Sequence, residues 1–146
     1  MNSMNTVLVT GGFGRIGAQL CKELIENGCH VLCIDTGSTE TLQMYNLLEN
    51  PRFKILNGDI LNMPSFGVKL DYIFHMACVD DKYNNLDKMR VCFEGTRNVL
   101  NIAETHGSRV IVATDKHLHN VGFDVAEALV QKYTSIKGLH AGIIRV

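Results

Sequence analysis

The chain has 146 residues, 46% of them hydrophobic and 20% charged, which suits one globular domain with a single core. A formal net charge of −1 excludes a broad electrostatic footprint for nucleic acid or an anionic membrane. No apolar run approaches a membrane span, and the stretch before the first apolar run is too short and polar for a secretory signal, so a cytoplasmic location is expected.

Short apolar runs alternate with amphipathic stretches along the whole chain. Residues 6–10 (TVLVT) are β-branched and read as a first strand, followed at once by a glycine cluster. Ile16, Leu20 and Leu24 recur at helical spacing over 16–26, with Gly28 placed to end that helix. Residues 30–34 (HVLCI) form the second predicted strand. A helix is predicted over 38–48, stopped by Asn50-Pro51 because the residue before a proline avoids helical angles. Strands follow at 53–56 and 71–75, then a long helix over 86–105 ending at His106-Gly107. Residues 109–113 (RVIVA) give the fifth strand, 125–133 the last helix, and 141–146 (AGIIRV) the sixth strand.

Strands that are apolar throughout and separated by helices predict a parallel sheet covered on both faces. Right-handed crossovers then favour an α/β, doubly wound Rossmann fold with strand order 3-2-1-4-5-6 in a single domain spanning 1–146. The five cysteines are scattered without a C-x-x-C pair, so buried, reduced thiols are expected. Asp115, His117 and His119 cluster in sequence, but a metal site there would need further ligands from elsewhere, and none is expected.

The stretch Thr10-Gly11-Gly12-Phe13-Gly14-Arg15-Ile16-Gly17 lies between the first strand and the first helix. Gly11 permits a tight turn, Gly14 lets backbone amides approach a pyrophosphate, and Gly17 lets helix and strand pack closely. The helix N-terminus then offers N–H groups and partial positive charge to the phosphates. Asp35 closes the second strand, where a carboxylate bonds the adenosine ribose hydroxyls. Thr36, Gly37, Ser38 and Thr39 supply no cation for a 2′-phosphate, so NAD is expected over NADP. The alternative is a structural glycine turn beside an ordinary loop aspartate.

These residues resemble the extended short-chain dehydrogenase/reductase superfamily, the NAD-dependent epimerases and dehydratases that act on nucleotide sugars. T-G-G-x-G-x-x-G at 10–17 is that superfamily's form of the loop. Asn57-Gly58-Asp59-Ile60 resembles its G-D-[VI] segment, implying that Asp59 and Ile60 border the adenine. Phe74-His75-Met76-Ala77-Cys78 resembles its strand end beneath the cofactor, and Glu94-Gly95-Thr96-Arg97-Asn98-Val99 its long central helix. The resemblance thus implies a cofactor set of Gly11, Phe13, Gly14, Arg15, Ile16, Gly17, Asp35, Thr36, Asp59, Ile60, Met76, Ala77 and Cys78.

Ala113-Thr114-Asp115-Lys116 is similar to the S-T-D-K stretch of nucleotide-sugar 4,6-dehydratases. By that likeness Thr114 would bond a sugar oxygen, with Asp115 and Lys116 as the acid/base pair; equally, T-D-K simply closes a strand. The superfamily's Tyr-x-x-x-Lys motif is missing. Registered on Val125-Ala126-Glu127, its tyrosine position falls on His119 and its lysine position on Phe123. A Tyr133-x-x-x-Lys137 string exists, but at the helix end, where Tyr133 is expected to pack and Lys137 to face solvent. Cys92 stands where the central helix usually has asparagine, and the family's C-terminal sugar-binding domain is absent from these 146 residues.

The expectation is a catalytically degenerate NAD(H)-binding relative. The alternative is an active dehydratase or epimerase of nucleotide sugars that another chain or domain completes. Apolar residues around more than one face of the 86–105 helix imply a homodimer through it and the 125–133 helix.

Overall fold

The computed structural model describes residues 4–77, 85–114 and 121–146, without the side chains of 85, 88 and 121–123. Its six strands are β1 (Thr6–Thr10), β2 (His30–Ile34), β3 (Phe53–Ile55), β4 (Tyr72–His75), β5 (Arg109–Thr114) and β6 (Ala141–Arg145). They form one parallel sheet in the order β3-β2-β1-β4-β5-β6. The expected doubly wound order is therefore the observed one.

Alternation along the strands divides the core in two, because successive side chains leave opposite faces of a sheet. Val7, Val9, Val31 and Cys33 pack on one face with Ala18, Cys21, Leu24 and Ile25 of helix α1 (Arg15–Glu26). Leu8, Ile34, Ile73, Val110 and Val112 face the other side, covered by Val99, Leu100 and Ala103 of helix α4 (Thr96–His106) and Val130 of helix α5 (Val121–Lys137). Cys21, Cys29, Cys33 and Cys92 are buried thiols, as expected; Cys78 lies outside the described residues. Contact with Cys33 and burial together push the Cys21 thiol well above its usual range, which keeps it protonated and inert.

The helices depart from the sequence reading in three places. The second is a single short turn, α2 (Glu40–Met44), because Asn46 adopts a left-handed conformation (φ 55°) that no helix continues through. The last starts four residues early and ends four late. The long central helix is not uniform: α3 (Asn85–Arg90) passes through a π-helical turn, Val91–Gly95, before α4 begins. Apolar periodicity cannot disclose that turn, since one extra residue per turn leaves both flanks amphipathic.

Among the described residues no helix is long and apolar enough to cross a membrane. None of their side chains gather three or more histidines, cysteines or carboxylates in a metal-binding group. Asp115, His117 and His119 lie outside those residues.

Candidate functional site

Parallel sheets place their ligand clefts beyond the carboxyl ends of the strands, where the chain order reverses. Here that point lies between β1 and β4, the strand that follows β3 in sequence. A cavity of about 620 Å³ opens there.

Its floor is the glycine loop, and the loop's shape is set by close backbone contact. Gly11 has φ +74°, and a Cβ there would lie 2.6 Å from the backbone nitrogen of Ala77. A Cβ on Gly17 would lie 2.2 Å from the Gly11 carbonyl oxygen. Only glycine fits either position. Gly14 caps α1 with no side chain bonded to the helix end, so the first-turn N–H groups keep their donors for a ligand.

Asp35 ties the loop to β2. One carboxylate oxygen accepts from the Phe13 N–H (2.9 Å) and the other from the Gly37 N–H (2.9 Å). Each oxygen retains lone pairs on the cavity side. The carboxylate thus fixes the loop and also lines the cavity. Its negative charge opposes a 2′-phosphate, and Glu40 on the same wall adds a second.

Beneath the cavity, His75 is buried between two hydroxyls. Its Nδ1 lies 2.6 Å from Thr10 Oγ1 and its Nε2 3.1 Å from Thr96 Oγ1. A neutral imidazole has one donor and one acceptor, and each threonine can take either role, so both ring nitrogens are satisfied. Burial lowers the pKa of His75 to about 4. This chain of bonds joins the last residue of β1 to the start of α4.

Nine of the sequence-predicted cofactor residues line this cavity together: Gly11, Phe13, Gly14, Asp35, Thr36, Asp59, Ile60, Met76 and Ala77. Gly17 supports it from behind. Arg15 and Ile16 stand on the exposed first turn of α1, outside the lining. Cys78, Asp115, Lys116 and His119 fall outside the described residues, and Phe123 is described only as backbone in the first turn of α5. The sequence reading missed Ile34, Gly37, Ser38, Glu40, Thr41 and Leu61 around Asp35 and Ile60, and Asp87, Arg90 and Val91 on α3 and the π turn. A polar run straight after Asp35 was the available signal for the first group. No local pattern marks the second, which reaches the cavity through tertiary packing.

Thr114 sits elsewhere. It is buried at the end of β5, and its hydroxyl donates to Glu127 Oε1 (3.1 Å). Arg145 of β6 clasps the same carboxylate through two bonds of 3.1 and 2.9 Å, a bidentate, charge-assisted pairing. Tyr133 and Lys137 pair with α4 instead of with the cavity. The Tyr133 hydroxyl donates to Asn101 Oδ1, and the Lys137 ammonium meets Glu104 at 2.9 Å. The reading of this string as packing and helix end is the observed one.

A sequence model described as the NAD dependent epimerase/dehydratase family matches residues 7–115. UDP-glucuronic acid decarboxylase 1 of Arabidopsis thaliana is 32% identical over 120 residues, covering 77% of this chain and 27% of that protein. UDP-glucuronic acid decarboxylase 1 of Danio rerio is 28% identical over 120 residues, covering 77% and 28%. Among solved structures, a UDP-galactose 4-epimerase superposes with a TM-score of 0.79 at 22% identity, over 96% of this chain and 55% of that one. The chain thus spans between a quarter and a third of these two curated relatives' length, and about half of the solved structure. With the family match covering every strand from β1 to β5 and the glycine loop, the chain belongs to the NAD dependent epimerase/dehydratase family.

Proposed function

We propose that this chain binds NAD(H) in the 620 Å³ cavity and that its own residues no longer complete the family's chemistry. The observation that carries the cofactor reading is the joint arrangement of Gly11, Gly17 and Asp35. A backbone turn that only glycine can make abuts an uncapped helix N-terminus, and one carboxylate both fixes that turn and lines the cavity. When bound, the nicotinamide supplies reversible hydride transfer. The chain's residues contribute binding and orientation: N–H groups of α1 for the pyrophosphate, Asp35 for the adenosine ribose, Ile60 for the base.

The reading of degeneracy rests on sequence register. Position 123, where a lysine would hold the nicotinamide ribose and lower a tyrosine's pKa, is phenylalanine, which can do neither. Thr114, the candidate sugar contact, already donates its hydrogen to Glu127, so it would serve a substrate as acceptor only. The second reading is an active nucleotide-sugar dehydratase, decarboxylase or epimerase whose remaining parts come from another chain or domain. It draws on the curated relatives and on Thr114, Asp115 and Lys116.

Titration calorimetry with NAD and NADP tests the first claim: NAD binds and NADP is clearly weaker, whereas equal affinities contradict it. Incubation with NAD and a panel of UDP- and dTDP-sugars, read by mass spectrometry, tests the second. A 4-keto or decarboxylated product at many turnovers would favour the active reading.

A cytoplasmic homodimer completes the proposal. Leu86, Met89 and Phe93 remain exposed on the outer face of the central helix, Phe93 with Arg97 stacked over its ring at 5.5 Å. Light scattering on a size-exclusion column should give twice the monomer mass, and Phe93→Glu should halve it. A clean monomer contradicts this part alone.

A further inference from the structure

Within the segment 94–99, Gly95 and Asn98 have no part in the site as described, yet both converge on one cavity-lining residue. Gly95 ends the π turn with no side chain, and a Cβ there would lie 2.5 Å from Ile60 Cδ1 and 2.9 Å from Ile60 Cγ1. Three residues on, and hence on the same helix face, Asn98 Nδ2 donates to the Ile60 carbonyl at 2.9 Å. Ile60 is therefore gripped from behind by its side chain and by its backbone together, while Asp59, Ile60 and Leu61 line the cavity.

The Asp59–Asn62 turn that carries Ile60 is shaped by its own bonds. Asp59 Oδ1 accepts from the N–H groups of Leu61 (2.7 Å) and Asn62 (2.9 Å), which shapes the turn without attaching it to anything. Such a turn keeps its form while swinging as a unit unless something anchors it. Among the bonds described for residues 59–61, the one from Asn98 is the one that reaches the central helix.

We propose that Asn98, with Gly95 making room, is a positioning residue for the base-binding wall of the cavity. It holds Ile60 at the depth where a flat purine packs on it, and it touches no ligand itself. This rests on the NAD(H) reading above, and it adds a role for α4 in adenosine affinity that the cavity lining alone does not reveal.

Asn98→Asp is the sharpest test, since it keeps shape and volume but replaces the donor by a carboxylate facing a carbonyl. Asn98→Ala serves if that variant folds poorly. Both are compared with the unaltered chain well below the melting temperature, by titration with NAD and with AMP. The expected result is a loss of about five- to tenfold, the size of one part-buried hydrogen bond, equal for the two ligands because the defect lies in the adenosine half. Amide hydrogen exchange without ligand should quicken at Leu61 and Asn62 and stay unchanged in β1, β2 and β4. A variant with unaltered exchange at those amides overturns the anchor. One with faster exchange but unaltered AMP and NAD affinity overturns the positioning role. An unaltered chain that binds neither NAD nor AMP overturns the cofactor reading itself, whatever the exchange data say.

Discussion

At the ends of β1 and β2 the backbone and the Asp35 side chain converge on an open cavity, whereas at the ends of β5 and β6 the polar groups converge on one another. In the first region Gly11 and Gly17 are shaped by contact, Asp35 spends one bond per oxygen on the loop, and the helix N-terminus is left uncapped. In the second, Thr114 donates to Glu127 and Arg145 pairs with the same carboxylate. The two regions lie on different strands of the one sheet. Four changes would break or sharpen that contrast.

The largest effect is expected at Gly17. An alanine Cβ would press on the Gly11 carbonyl and the Gly12 Cα, which are backbone atoms with no rotamer to yield. Gly17→Ala should lose about 3 kcal/mol of stability and all measurable NAD binding. Chemical denaturation and titration together read both.

Second is a pH effect from His75. Its pKa falls from the ordinary 6.5 to about 4 on burial, so between those values the unfolded chain binds the proton and the folded one does not. The full stability is present above pH 6.5, declines as the pH falls and is lost by about pH 4, a drop on the order of 3 kcal/mol. Denaturant melts across that window should flatten in His75→Gln. A wild-type profile already flat from pH 7 to 4 contradicts the buried neutral imidazole.

Third, Asp35→Ala should weaken NAD by about tenfold, the loss expected for hydrogen bonds to a charged acceptor. NADP should suffer less, because the same change removes a repulsion. If both cofactors weaken equally, Asp35 acts only through the loop.

The smallest effect belongs to the second region. Thr114→Val removes one hydrogen bond and leaves Glu127 paired with Arg145, so a loss of about 1 kcal/mol is expected, with NAD affinity unchanged. A large drop in NAD affinity would tie the two regions together.

Much of the first region was legible in the chain itself. A strand–glycine–helix pattern with an acid closing the next strand has a physical reason at each position, and nine of its predicted residues meet in one cavity. The contributions of Asp87, Arg90 and Val91 were not legible, because they depend on the path of α3 and on a π turn that leaves no periodic trace. Nor was the clasp on Thr114. Thr114, Glu127 and Arg145 are far apart in sequence, and the packing of α5 against β5 and β6 brings the Thr114 hydroxyl and the Arg145 guanidinium to the same Glu127 carboxylate. The end of the 38–48 helix was misjudged for a local reason: Pro51 was taken as its stop, while Asn46 had already left helical angles.

The most direct test of the account is a map of backbone amide shifts with and without NAD, feasible for a chain of 146 residues. The account predicts the largest changes at residues 11–17, 35–38 and 59–62, with Glu127 and Arg145 little affected. Changes centred on Glu127 and Arg145, or none in the glycine loop at saturating NAD, would contradict it.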